Sequence, residues 1–95
     1  MTSVTQSAAG ASAPVTINLI KFTPGVGLLV TISGTLTADI QVSGDNVNWN
    51  KHDTLQGLTA SANGNLAYPV AYIRINNTSY TSGSVVLNVI QALPN

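Results

Sequence analysis

Residues 26–42, VGLLVTISGTLTADIQV, decide the fold. From Val26 to Ser33, Leu28, Val30 and Ile32 fall on one side and Leu29, Thr31 and Ser33 on the other. That is the two-residue repeat of an extended strand. Gly34 breaks it. The repeat then resumes, with Ala38, Ile40 and Val42 alternating against Thr37, Asp39 and Gln41. Two apolar-in, polar-out strands separated by a glycine predict antiparallel sheet.

The same period extends in both directions. Val15, Ile17 and Leu19 alternate with Thr16 and Asn18, and Pro24-Gly25 marks a turn before the deciding stretch. After it, Ser43-Gly44-Asp45-Asn46 is a concentrated turn signal, followed by a short strand around Val47 to His52. Residues 55–66, LQGLTASANGNL, read as a loop closing on a short strand. Val70 to Asn76 is a strand with Ile73 and Ile75 inward and Tyr72, Arg74 and Asn76 outward. Residues 77–83 read as turn, and Ser84 to Leu93 as the closing strand. That strand is apolar on both faces, which predicts a central position or cover by another subunit. Residues 1–14, MTSVTQSAAGASAP, are small, polar and unpatterned and read as a flexible arm. The expectation is thus an all-β protein: one antiparallel, jelly-roll-like sandwich over residues 15–95, of about seven short strands, with an N-terminal arm over 1–14.

Composition narrows the function. Among 95 residues there is no cysteine, so neither a disulfide framework nor a thiolate metal site is available. Only 6% of residues are charged, where a typical domain has about a quarter. The cations are Lys21, Lys51 and Arg74, the anions Asp39, Asp45 and Asp53, and the net charge is zero. Phosphate backbones and acidic membranes are gripped by clustered cations, so neither nucleic acid nor membrane is an expected partner. A near-neutral chain repels its own copies little, which suits assembly. No apolar run is long enough to span a bilayer, and residues 1–14 lack the basic start and apolar block of a signal peptide.

The search for chemistry returns little. Asp39 is expected on the outer face of a strand, Asp45 in a turn where its carboxylate bonds nearby backbone, and Asp53 at a strand end. His52 beside Asp53 has the residue types of a base and its orienting carboxylate. Neighbours on a strand point to opposite faces, so they are not expected to meet. No serine sits in a nucleophile elbow. Asp45, Asn46, Asn48 and Asn50 gather oxygen donors, but with one charge and without calcium-loop spacing. No catalytic residue, metal site or cofactor is assigned. The aromatic residues are Phe22, Trp49, Tyr68, Tyr72 and Tyr80. Trp49, in phase with Val47, is either the main core anchor or an exposed sugar platform or protein anchor. Tyr72 and Arg74 share an outer face and form the candidate protein-contact patch; the alternative is simple solvent exposure.

Two segments carry a resemblance. Residues 40–49, IQVSGDNVNW, followed by residues 71–75, AYIRI, are similar to the VS-DG-W … YIRI pattern of discoidin-like, galactose-binding-type jelly rolls. Residues 38–91, with SGDN-x-N-W, GLTASANGN, AYP, YIR and YTSGSVVLNVIQ, more closely resemble small bacteriophage structural proteins of the capsid decoration type. The chain departs from the discoidin pattern at Asp45-Asn46, where Asp-Gly is usual, and lacks the disulfide, so sugar-binding loops do not carry over. The resemblance implies a virion protein assembled in the host cytoplasm. It would bind the major capsid protein or another virion protein from outside as a homo-oligomer, a trimer by preference, and stabilise the shell. The alternatives are a carbohydrate- or host-binding module of a head or tail fibre, and a ring protein of the tail or neck.

Overall fold

A computed structural model describes residues 2–17, 26–66 and 69–90. They form nine strands in two antiparallel sheets packed face to face, with no helix among the described residues. The first sheet has the order β1 (Thr2–Gln6), β9 (Ser84–Ile90), β4 (Val26–Ser33), β7 (Ala62–Leu66). The second has the order β2 (Gly10–Ala11), β8 (Tyr72–Tyr80), β5 (Leu36–Ser43), β6 (Asn50–Lys51), and β3 (Val15–Thr16) also pairs with β8.

The two orders match strand for strand, because each long pass of the chain contributes to both sheets. Residues 26–43 run antiparallel to residues 72–90 along their whole length. The register runs from Gly27 opposite Ile90 to Ser33 opposite Ser84 in the first sheet. It resumes from Leu36 opposite Tyr80 to Ser43 opposite Tyr72 in the second, with an irregularity between Thr37 and Ala38. Residues 2–16 lie along the other side of 72–89. Residues 50–66 lie along the outer side of 26–42, and Leu58 bridges Ala38 between β6 and β7. The sandwich is therefore one four-pass ribbon folded over on itself.

The fold line is made of backbone. Gly34, at the β4–β5 bend, and Gly83, at the β8–β9 bend, both have φ of 93°, a conformation that L side chains rarely adopt. Thr35 N donates to Ser82 O at 3.1 Å, and Thr81 N and Ser82 N both donate to Thr35 O at 3.0 Å. A Cβ on Gly34 would lie 2.5 Å from Ser82 O, and one on Gly83 would overlap the carbonyl oxygen of Ser33. The crossing leaves no room for a side chain.

Alternation then places the core. Val26, Leu28 and Val30 on β4, Val85, Leu87 and Val89 on β9, Ala38, Ile40 and Val42 on β5, and Ile73 and Ile75 on β8 all point between the sheets and are buried. The described core is aliphatic throughout. β9 is central in its sheet, as its two-sided apolar character implied.

Three expectations are corrected. The described part of the arm is no arm: Thr2–Gln6 pairs residue by residue with β9, and Gly10–Ala11 with β8. The Asn77 amide, pointing inward from β8, donates to Ala8 O at 2.8 Å and pins the crossing between those two strands. The sandwich thus begins well before residue 15. Second, β8 continues through 77–80, where turn was expected, because it has β5 and the N-terminal pass on its two sides. Third, the strand expected over Val47–His52 shrinks to Asn50–Lys51. Leu19, Phe22, Pro24-Gly25 and the end of the closing strand lie outside the described residues.

Gly10 offers a control for the fold line, since it shares the φ of 93° but a Cβ there meets nothing within 4 Å. Gly10→Ala should lower unfolding free energy by about 1–2 kcal/mol, the left-handed penalty alone. Gly83→Ala adds a backbone clash and should cost at least ~4 kcal/mol. Urea midpoints measure both, and equal losses would contradict the packing described.

Candidate protein-docking site

On the outer face of the second sheet, register sets the neighbours. Gln41 is opposite Arg74 on one side and opposite Lys51 on the other, while Tyr72 is opposite Ser43 and Thr16. Arg74 Nε donates to Gln41 Oε1 at 2.7 Å, which ties the guanidinium to the neighbouring strand. The Trp49 ring lies over it, with Arg74 Cζ 4.1 Å from the ring centroid. Such a cation–π stack contributes about 0.5–2 kcal/mol, more as water is excluded. Trp49, Arg74 and Tyr72 are each half-buried. The two candidate sets, Tyr72 with Arg74 and Trp49 alone, are therefore one surface.

The core-anchor reading of Trp49 is overturned. Val47, with which it shares phase, is 76% exposed, because both residues lie on a loop where alternation does not apply. That loop is built around Asp45. Its Oδ1 accepts from Val47 N at 2.9 Å, Asn48 N at 2.8 Å and Ser43 Oγ at 3.0 Å, and its Oδ2 accepts from Asn48 Nδ2 at 2.8 Å. Ser43 Oγ in turn accepts from Asp45 N and Asn46 N. Asn46 has φ of 62°, a position an asparagine tolerates where glycine would be the default. The backbone amides of Asn48 and Val47, then the side chains of Asn48 and Ser43, stabilise the Asp45 carboxylate and hold its pKa well below the usual range. The expected turn role of Asp45 is what the geometry shows. Both carboxylate oxygens of Asp45 are spent on this turn, and no group of three or more His, Asp or Glu side chains among the described residues is placed to hold a metal.

Asp39 and His52 have structural partners. Asp39 is on the outer face as expected, yet buried, because residues 55–58 run alongside β5. Its Oδ1 accepts from Gly57 N at 2.7 Å, and its Oδ2 lies 3.7 Å from Lys51 Nζ. His52 and Asp53 do meet, contrary to the strand argument, with Nδ1 and Oδ1 3.2 Å apart. β6 ends at Lys51, so the alternation of a strand no longer governs them. The arrangement is not a base with its orienter. His52 Nδ1 already accepts from Thr54 N and Leu55 N, both at 3.1 Å, and Nε2 pairs with Asn65 O at 2.8 Å. Those partners assign the neutral Nε2–H tautomer, in which Asp53 faces a lone pair. The ring is buried and ties the β6 end of its pass to β7.

A cavity of about 290 Å³ lies at the fold line, lined by Gly34, Thr35, Leu36, Thr37, Thr59, Ser79 and Thr81. It contains none of the aspartates, His52, Trp49 or Arg74. Sequence reasoning missed Val47 and Gln41. The turn chemistry of Ser43 and Asp45 was the available signal for an exposed Val47. The pairing of Gln41 with Arg74 follows only from strand register.

No family model, curated protein or solved structure matches this chain.

Because the Asp45 carboxyl is held below the ordinary aspartate value, the order it brings is complete above the unfolded value of about 3.9 and is lost only as pH falls through the lower folded value. The amide resonances of Val47 and Asn48 should stay flat from neutral pH to below ~3.9 and move only in stronger acid. A midpoint at or above that value would show that the carboxylate is not bonded as described.

Proposed function

We propose that this chain is a non-enzymatic docking module of a bacteriophage virion that binds the outside of the capsid and stabilises the shell. The observation that carries the docking part is the Trp49–Arg74 stack. A half-buried aromatic ring and a guanidinium, pre-set by Gln41 and the Asp45 loop, sit beside Tyr72 and two residues from the exposed Val47. Trp, Tyr and Arg are the residue types in which binding energy concentrates at protein interfaces. A rigid loop also loses little entropy on docking. The virion part is supported by the resemblance of residues 38–91 and by the scarcity of charge. Many copies on one shell would make modest single contacts collectively strong.

A second reading is favoured by one observation: Trp49 is flanked in sequence by Asn48 and Asn50 on an accessible loop, which suits stacking on a sugar ring in a host-binding module.

Electron microscopy of antibody-labelled particles should find copies distributed over the shell; label confined to the tail, or none, would contradict decoration. Trp49→Ala and Arg74→Ala should each weaken shell binding roughly 10- to 100-fold while leaving the fold intact. Unchanged binding would remove this face from the contact. Soluble sugars that compete for attachment would favour the second reading.

A further inference from the structure

We propose that the outer face of the first sheet is a two-fold contact with a second copy of this chain. The two outer faces differ in kind. Of the charged residues whose position is described, Asp39, Lys51 and Arg74 lie on strands of the second sheet, Asp45 on a loop between two of them, and Asp53 two residues past the end of β6. The first sheet carries none. Its outer face holds two of the three exposed large apolar residues among those described, Leu29 at 37% and Ile90 at 41%. Leu29 is opposite Asn88 on β9, which places Val86 and Ile90 on its two diagonals. These three form an apolar centre across β4 and β9, and the remaining outward positions, such as Thr31, Asn63 and Asn88, are uncharged and polar.

The occupant follows from the chemistry of that rim. A two-fold contact is isologous, so residues near the axis meet their own twins. Lysine and arginine only donate and an ionised aspartate only accepts, so none can pair with itself. Asparagine and threonine both donate and accept, and can. The described positions of this face all carry side chains that satisfy or tolerate their own copies, and a chain of zero net charge adds no long-range repulsion. A face built for an unlike partner would carry complementary charge.

The contact is weak. Four strands about 4.8 Å apart and five to eight residues long span roughly 20 by 21 Å, an area on the order of 400 Å² against about 800 Å² per partner in a stable complex. Self-association should therefore appear at high protein concentration, or where copies sit side by side on a common support. The proposal is independent of the virion reading.

A dilution series of ¹H–¹⁵N spectra between about 20 µM and about 2 mM brackets such association. Concentration-dependent shifts should centre on Leu29, Val86, Asn88 and Ile90. Leu29→Lys sets like charges against each other across the axis and should raise the dissociation constant at least ~10-fold. Thr31→Lys, on an already exposed rim position, should act the same way and covers the case in which the Leu29 variant folds poorly. Spectra that do not change with concentration would overturn the proposal. Shifts centred instead on Thr2–Gln6, indicating edge pairing, or on Trp49 and Arg74 would do so equally.

Discussion

Where Gly34 and Gly83 cross, two backbones approach so closely that neither position can carry a Cβ. Three hydrogen bonds among Thr35, Thr81 and Ser82 lock them there. This contact turns a flat ribbon into a sandwich. A four-pass antiparallel ribbon that is apolar on one face must bury that face against another layer. Folding it across the middle brings the apolar face of one half onto that of the other. The aliphatic core from Leu28 to Leu87 is the consequence, and so is the identical strand order of the two sheets. Moving Gly34 by one residue would turn β5 over and put Ile40 in solvent, and moving Gly83 would do the same to β9 and Leu87.

The fold line also divides the chemistry. One half of the ribbon carries the described charges and the Asp45 loop, with Trp49 laid over Arg74. The other half is uncharged, with Leu29 and Ile90 on its surface. The polar groups that reach inward are used to hold passes together. Asn77 pins the N-terminal pass through Ala8, and His52 joins the two ends of residues 50–66 through Asn65. Gly64 has a related role, since a Cβ there would come within 2.9 Å of the Leu55 side chain that fills the core beneath it. A buried histidine with both nitrogens occupied by backbone groups is a brace, and its chemistry is spent on that.

Much of this was legible in the sequence, and the failures have physical causes. The strands at 26–33, 38–42 and 84–90 were readable because one face of each is buried, so burial writes a two-residue period. The turn at Ser43–Asn46 was readable because Asp and Ser side chains bond the adjacent backbone. Thr2–Gln6 carries a single branched apolar residue, Val4, and becomes a strand only because β9 offers it an open edge. Tertiary pairing, absent from any local pattern, decides its state. The core reading of Trp49 fails because phase with Val47 means something only within a strand, and both sit on a loop. The meeting of Trp49 with Arg74 was unreadable for a similar reason. It needs the register of Gln41 against Arg74 and the course of the Asp45 turn together, and neither is local to the two residues concerned.

The crossing of the two glycine turns is the constraint on which everything else rests, and native-state hydrogen exchange tests it most directly. If the fold line is part of the cooperative core, the amides of Thr35, Thr81 and Ser82 should exchange only through global unfolding. Their opening free energy should then equal that of Ile40 and Leu87 within the strands. Exchange of those three amides through a low-energy local opening, while the strands stay protected, would show that the bend is an ordinary loose pair of turns and that the sandwich is held elsewhere.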